Sequence, residues 1–183
     1  MGGKSLLDLS REVLQIILPD EVKTEVIRRF TKDKEIWQAA NDHLVKLASD
    51  IRTTDITCVK FFEEWLKEHS KVLSISRNIE RGERHCAALA LRESIDLPIS
   101  LNIAVTDDKS ARVALDAFFH RQNIGHSVST PDLILLLLNR IQRLTKDQAI
   151  RALNEYYTLY QDNPRRPLKP SYLADVNSCW REM

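Results

Sequence analysis

Between Arg81 and Arg112 the chain carries three carboxylates where chemistry can be done. Gly82-Glu83-Arg84 opens an Ala/Leu-rich helix, which puts Glu83 in its first turn, and a short apolar strand then stops on Thr106-Asp107-Asp108. A carboxylate at a helix start and a pair at the carboxyl end of a strand are how an open α/β sheet builds a site, because ligands bind in the crevice outside strand ends. Hard divalent cations take oxygen ligands, and magnesium binds through one or two carboxylates plus substrate phosphate. Water on such an ion becomes a nucleophile, and the ion stabilises the charge that develops on a scissile phosphate. The chemistry these residues suit is therefore metal-dependent hydrolysis. Quieter roles compete: Glu83 complements a helix dipole, and Asp107 or Asp108 caps the helix that follows. No G-x-S-x-G, phosphate loop or Cys/His nucleophile pattern is present. His43, His69, His85, His120 and His126 show no ligand spacing, and His85 next to Cys86 points to a different helix face.

The elements that must position these groups follow from periodicity. Leu6, Leu7, Leu9, Val13 and Leu14 suggest a short opening helix, and Gln15 to Leu18 reads as a strand stopped by Pro19. Pro19, Asp20 and Glu21 favour a helix N-terminus, so Val22 to Arg29 should be helical. Ile36, Trp37, Ala40, Leu44, Leu47, Ala48 and Ile51 form an amphipathic stripe starting near Asp33. Phe61, Phe62, Trp65 and Leu66 mark a helix to about His69, and Val72 to Ile75 alternates as a second strand. After the Arg81 helix come a strand over Ile99 to Val105 and a helix from about Lys109 to Arg121. A last short strand at His126 to Val128 and a Leu-rich helix begun by Thr130 and Pro131 follow. Thr145 caps a helix to about Gln161, and prolines at 164, 167 and 170 give an extended tail. Alternating strand and helix imply a parallel sheet covered on both faces with right-handed crossovers.

Composition narrows the class. The 183 residues are 43% hydrophobic and 29% charged, enough for one core and too few for two large domains, so one domain over 1–161 with a tail over 162–183 is expected. Twenty-seven basic and 26 acidic residues leave a formal charge of +1, so no global field draws the chain to nucleic acid or membrane. The longest apolar run, Leu133 to Leu138, cannot span a bilayer, and no signal-like segment opens the chain, which points to the cytoplasm. Cys58, Cys86 and Cys179 are scattered, without a C-x-x-C pair, and read as reduced thiols.

Pro19-Asp20-Glu21-Val22-Lys23-Thr24-Glu25-Val26 resembles the P-x-x-V-x-x-E segment of PIN-domain proteins, and Gly82-Glu83 with its Ala/Leu helix resembles their G-E helix. Val105-Thr106-Asp107-Asp108-Lys109-Ser110-Ala111-Arg112 is similar to their T-D-D-x-x-A-R strand end, and Ile124 to Thr130 to their final strand before a Leu-rich helix. The resemblance covers about Gly3 to Tyr156. It implies a three-layer α/β fold with a short, mostly parallel sheet and an acidic pocket for magnesium or manganese, usually used to cut RNA. Small bacterial members are often toxins held by a cognate antitoxin, so an RNA substrate, an antitoxin partner and self-association are expected. The resemblance assigns Glu25, Glu83 and one of Asp107 and Asp108, with Asp108 favoured, to the metal and to catalysis. Without it, Glu25 reads as a solvated residue on an amphipathic helix. Arg81, Arg84, Lys109 and Arg112 flank the acids and would hold RNA phosphates; the alternative is ordinary surface pairing.

The chain departs from the family in one respect. It enters directly in what resembles the first helix, without the strand whose terminal Asp supplies a fourth ligand, and Asp8 among Leu7 and Leu9 does not replace it. A catalytically inactive PIN-like domain that binds protein or RNA is therefore the alternative reading. With three ligand segments, the chain as written is expected to bind magnesium weakly and to cut RNA poorly or not at all.

Overall fold

The computed structural model describes residues 14–46, 50–97, 101–139 and 144–160. Nearly all of the expected opening helix, the start of the strand expected from Ile99, and the tail lie outside those residues. The order is β1 (Leu18–Pro19), α1 (Asp20–Lys32), α2 (Lys34–Lys46), β2 (Ile51–Arg52), α3 (Ile56–His69), α4 (Arg81–Asp96), β3 (Asn102–Val105), α5 (Lys109–Gln122), β4 (Gly125–Val128), α6 (Thr130–Asn139) and α7 (Lys146–Tyr160). The expected mixture of helices with short parallel strands is present. β1 pairs with β2 in parallel, Leu18 opposite Ile51 and Pro19 opposite Arg52. β3 pairs with β4, and the Asn102 N–H to Ile124 carbonyl and Thr106 N–H to Val128 carbonyl bonds step along both strands in one direction.

Local chemistry explains most boundaries. Pro19 occupies the N-cap position of α1 without a side-chain cap bond, and Asp20 and Glu21 in the first turn suit the helix dipole. Asp55 caps α3 by accepting the Thr57 N–H at 2.8 Å. Thr145 and Gln148 cap α7 reciprocally: each backbone N–H donates to the other side chain, at 2.8 and 3.3 Å. α5 stops at Asn123, whose φ of 55° lets its N–H reach the His120 carbonyl and the Ile124 N–H reach that of Phe119. Asparagine tolerates this left-handed conformation better than most residues, and the bonds satisfy carbonyls the helix end would strand.

Three expectations need correction. The strand expected over Gln15–Leu18 is shorter and includes Pro19, which forms the last β1 position before beginning α1. Ile51, assigned above to a helical stripe, lies in β2, where the β-branched Ile51, Thr53 and Thr54 favour extended chain paired with Leu18; Leu47 and Ala48 of that stripe lie outside the described residues. Val72–Ile75 is a turn, not a strand. Val72 and Leu73 are exposed, the Ile75 N–H bonds back to the Ser70 carbonyl, and Ser74 sits at φ 54°. Arg77 seals this end of α3 by donating to the Lys67 carbonyl and the Ser70 hydroxyl. Alternation over four residues misled here because a helix end satisfied its carbonyls with the same residues.

The described residues fall into two compact units. One comprises Ile16–Ala104 and Ser110–Ser127. Its core gathers Phe62, Trp65 and Leu66 of α3, Ile75, Ile79, Ala87 and Ala90, and Ala114, Leu115, Phe118 and Phe119 of α5. Phe118 meets Phe62 edge-on at 4.8 Å and Trp65 at 5.2 Å, and His69 stacks on Trp65 at 4.9 Å. Edge-to-face pairs of this kind add about 0.5–1.5 kcal/mol each beyond burial of area. The other unit contains Val105–Lys109 and the described residues from Val128 onward, with Leu14 and Gln15. There Ile134, Leu137 and Leu138 of α6 bury against Leu144, Ala149 and Leu153, with Leu14 alongside.

Candidate functional site

Glu21, Glu25 and Arg29 recur every four residues along α1, so they share one face. That face meets the beginning of α4. Arg81 pairs with Glu21 at 3.3 Å, and Arg29 reaches Glu80, the α4 N-cap residue, at 4.0 Å. Glu25 lies against Gly82: a Cβ built on that glycine would stand 3.4 Å from Glu25 Oε2 and 3.5 Å from Val22 Cγ2. Glu25 is thus set at the α4 helix start, where N–H groups without intrahelical partners favour a negative charge. The structure brings Glu25 to the turn of α4 that carries Glu83.

Arg29 changes what that carboxylate can do. Its Nη2 donates to Glu25 Oε1 one helical turn away, and its guanidinium carbon lies 5.0 Å from the centre of the Trp37 ring on α2. The guanidinium is therefore shared by two carboxylates and an aromatic face, on α1, α2 and the entry to α4. Arg29 is not among the residues the resemblance assigns, and its local signal is the Glu-to-Arg spacing of four on one helix.

Asp107 and Asp108 belong to the unit that contains α6. Asp107 accepts the Thr130 N–H at Oδ1 (2.9 Å) and the Thr130 hydroxyl at Oδ2 (3.0 Å), which ties the end of β3 to the first residue of α6. Next to it, Ser129 and Asp132 form a reciprocal cap on the same helix. The Asp108 N–H donates to the Thr106 hydroxyl at 3.3 Å. Asp107 thus serves a helix 23 residues downstream, a partner that no local pattern announces.

The basic residues expected to hold phosphates are partly committed. Arg81 belongs to the pair with Glu21 while remaining largely exposed, and Arg84 joins α4 to α3 through Glu63 at 2.8 Å and donates to the Ile79 carbonyl at 2.9 Å. Lys109 is exposed at the first position of α5, and Arg112 is half-buried one turn on. The two described thiols, Cys58 and Cys86, are poor nucleophiles. Burial, with the Glu83 carboxylate adding to it, pushes the Cys86 thiol up to about 12, and burial likewise raises Cys58.

A divalent ion needs several oxygen donors around one point. Among the described residues no group of three or more His, Cys, Asp or Glu side chains is placed to hold a metal ion. The carboxylate best placed by the fold, Glu25, already has a guanidinium on it. At the α1–α4 junction itself, the Arg29 guanidinium stands where a divalent ion on Glu25 would need to sit. Also among the described residues, no helix is long and apolar enough to cross a membrane. Protein-family models, curated proteins and solved structures give no match to this chain.

Proposed function

We propose that this chain is a PIN-like domain that acts by binding a protein partner and, in the form described, does not cut RNA. One observation carries the reading: Glu25, the carboxylate set at the start of α4, is already paired with the Arg29 guanidinium. Support for a protein rather than an RNA ligand comes from the arginines, since Arg81 and Arg84 are already paired with Glu21 and Glu63. A formal charge of +1 adds no field to draw a polyanion.

A second reading is favoured by a different observation. Glu25 set against Gly82, beside Glu83, is the junction a PIN-type ribonuclease would use. In that reading the chain is a toxin component, neutralised by an antitoxin and hydrolysing RNA with magnesium or manganese once a further carboxylate is supplied. The purified chain, incubated with labelled single-stranded RNA plus magnesium or manganese and with chelator as control, separates the two. The binding reading expects no metal-dependent cleavage. Cleavage abolished by chelator and by Glu83→Gln would install the ribonuclease in its place. Salt-sensitive RNA binding without cleavage, measured by anisotropy at ionic strengths around 0.15 M, would make RNA the ligand.

A further inference from the structure

The acids at the α1–α4 junction are already matched by cations of the chain itself. Glu25, Glu80 and Glu21 stand where α1 meets the start of α4, and two guanidinium groups interleave with them: Arg81 on Glu21, and Arg29 on both Glu25 and Glu80. Arg29 is additionally held over Trp37 on α2, a contact that costs an arginine little desolvation and suits no carboxylate. A guanidinium with its stem along one helix and its head between two acids and a ring is positioned from three elements. A divalent ion approaching Glu25 would meet this fixed positive charge at contact distance.

We infer that Arg29 is the resident cation of this acidic junction, occupying on Glu25 the place a divalent metal would require and so keeping the chain metal-free there. This inference rests on the non-catalytic reading and supplies its cause. Arg29 acts as a blocking residue, by neutralising Glu25.

The test is manganese binding by the full chain, read from the loss of the free-ion electron paramagnetic resonance signal at low ionic strength. Wild type, Arg29→Gln, Arg29→Met and the double variant Arg29→Gln/Glu25→Gln are compared, with helical circular dichroism as the folding check. The methionine variant keeps an apolar stem beside Trp37, so one of the two neutral replacements retains the packing if the other does not. Wild type should leave the manganese signal unchanged, and removing the guanidinium should tighten binding by roughly ten-fold or more, because a unit positive charge is lost next to the ligand. The double variant should return to wild-type behaviour. Folded neutral variants that gain nothing, or a gain that survives in the double variant, would overturn the inference while leaving the non-catalytic reading intact. Manganese bound tightly by wild type, whether or not the neutral variants bind it more tightly, would overturn both the inference and the non-catalytic reading.

Discussion

Single atoms set the tolerances of this molecule. A Cβ on Gly125, whose φ is +156°, would stand 2.0 Å from the Asn102 carbonyl oxygen, which neither strand can move away from without breaking the β3–β4 pairing. Gly125→Ala should cost more than about 2 kcal/mol, visible as a lowered denaturation midpoint with an unchanged denaturant slope. Gly82 is the contrasting case, since its virtual Cβ meets Glu25 and Val22 at ordinary contact distance. At the thiols the expectation is kinetic as well as thermodynamic. Cys86, pushed up to about 12, stays a neutral thiol in the fold, so a disulfide reagent at mildly alkaline pH should label it only after denaturation. A raised pKa also fixes the sign of its linkage. The stabilisation is complete below the ordinary value of 9.0 and drains away as pH climbs from there toward 12. Mass spectrometry of native and denatured labelling reactions checks the first point, and melting temperature against pH the second.

Helix boundaries depend on caps that can be titrated. Asp55 is held below its ordinary value of 3.8, chiefly by the Thr57 N–H it accepts at the α3 N-terminus. Its contribution is present above 3.8 and is lost as pH falls through the depressed folded value. Asp55→Asn should therefore keep α3 capped and flatten the acid limb of a plot of melting temperature against pH; an unchanged acid limb would show that the cap does not govern it. The Asp55 cap was not read from the sequence, but other helix starts were. Pro19 with Asp20 and Glu21, the Gly82-Glu83 start and Thr145 all marked helix beginnings found where expected, because N-terminal signals are local in sequence. β2 and the turn at Ser74 were not readable, because a two-residue strand exists only through Leu18 and a turn over Val72–Ile75 only through Arg77 returning to α3. The acids divided in the same way. The resemblance raised the expectation that Glu25, Glu83 and the Asp107/Asp108 pair share a pocket, whereas Glu25 against Gly82, Arg29 on Glu25 and Thr130 on Asp107 came from tertiary geometry.

Each compact unit has its own buried apolar centre, and truncations should report on it. Phe118 is fully buried between Phe62, Trp65, Phe61 and Phe119. Phe118→Ala should cost about 3–5 kcal/mol and erase the near-ultraviolet dichroism of the ring cluster. Leu137→Ala, in the α6–α7 pair, should cost about 2–5 kcal/mol and raise hydrogen exchange across Thr130–Tyr160. A loss below about 1 kcal/mol at either position would mean that the site collapses onto its neighbours and that these residues do not anchor their units. The packing order also bears on how the chain reaches its fold. Helices adjacent in sequence pack on one another, α1 with α2, α3 with α4 and α6 with α7, whereas both strand pairings join segments separated by one or two helices. Short loops close quickly and distant ones late, so the helical hairpins should condense first and the strand registers last. In a folding-rate experiment, core truncations within a hairpin would then slow folding, while Gly125→Ala would mainly accelerate unfolding.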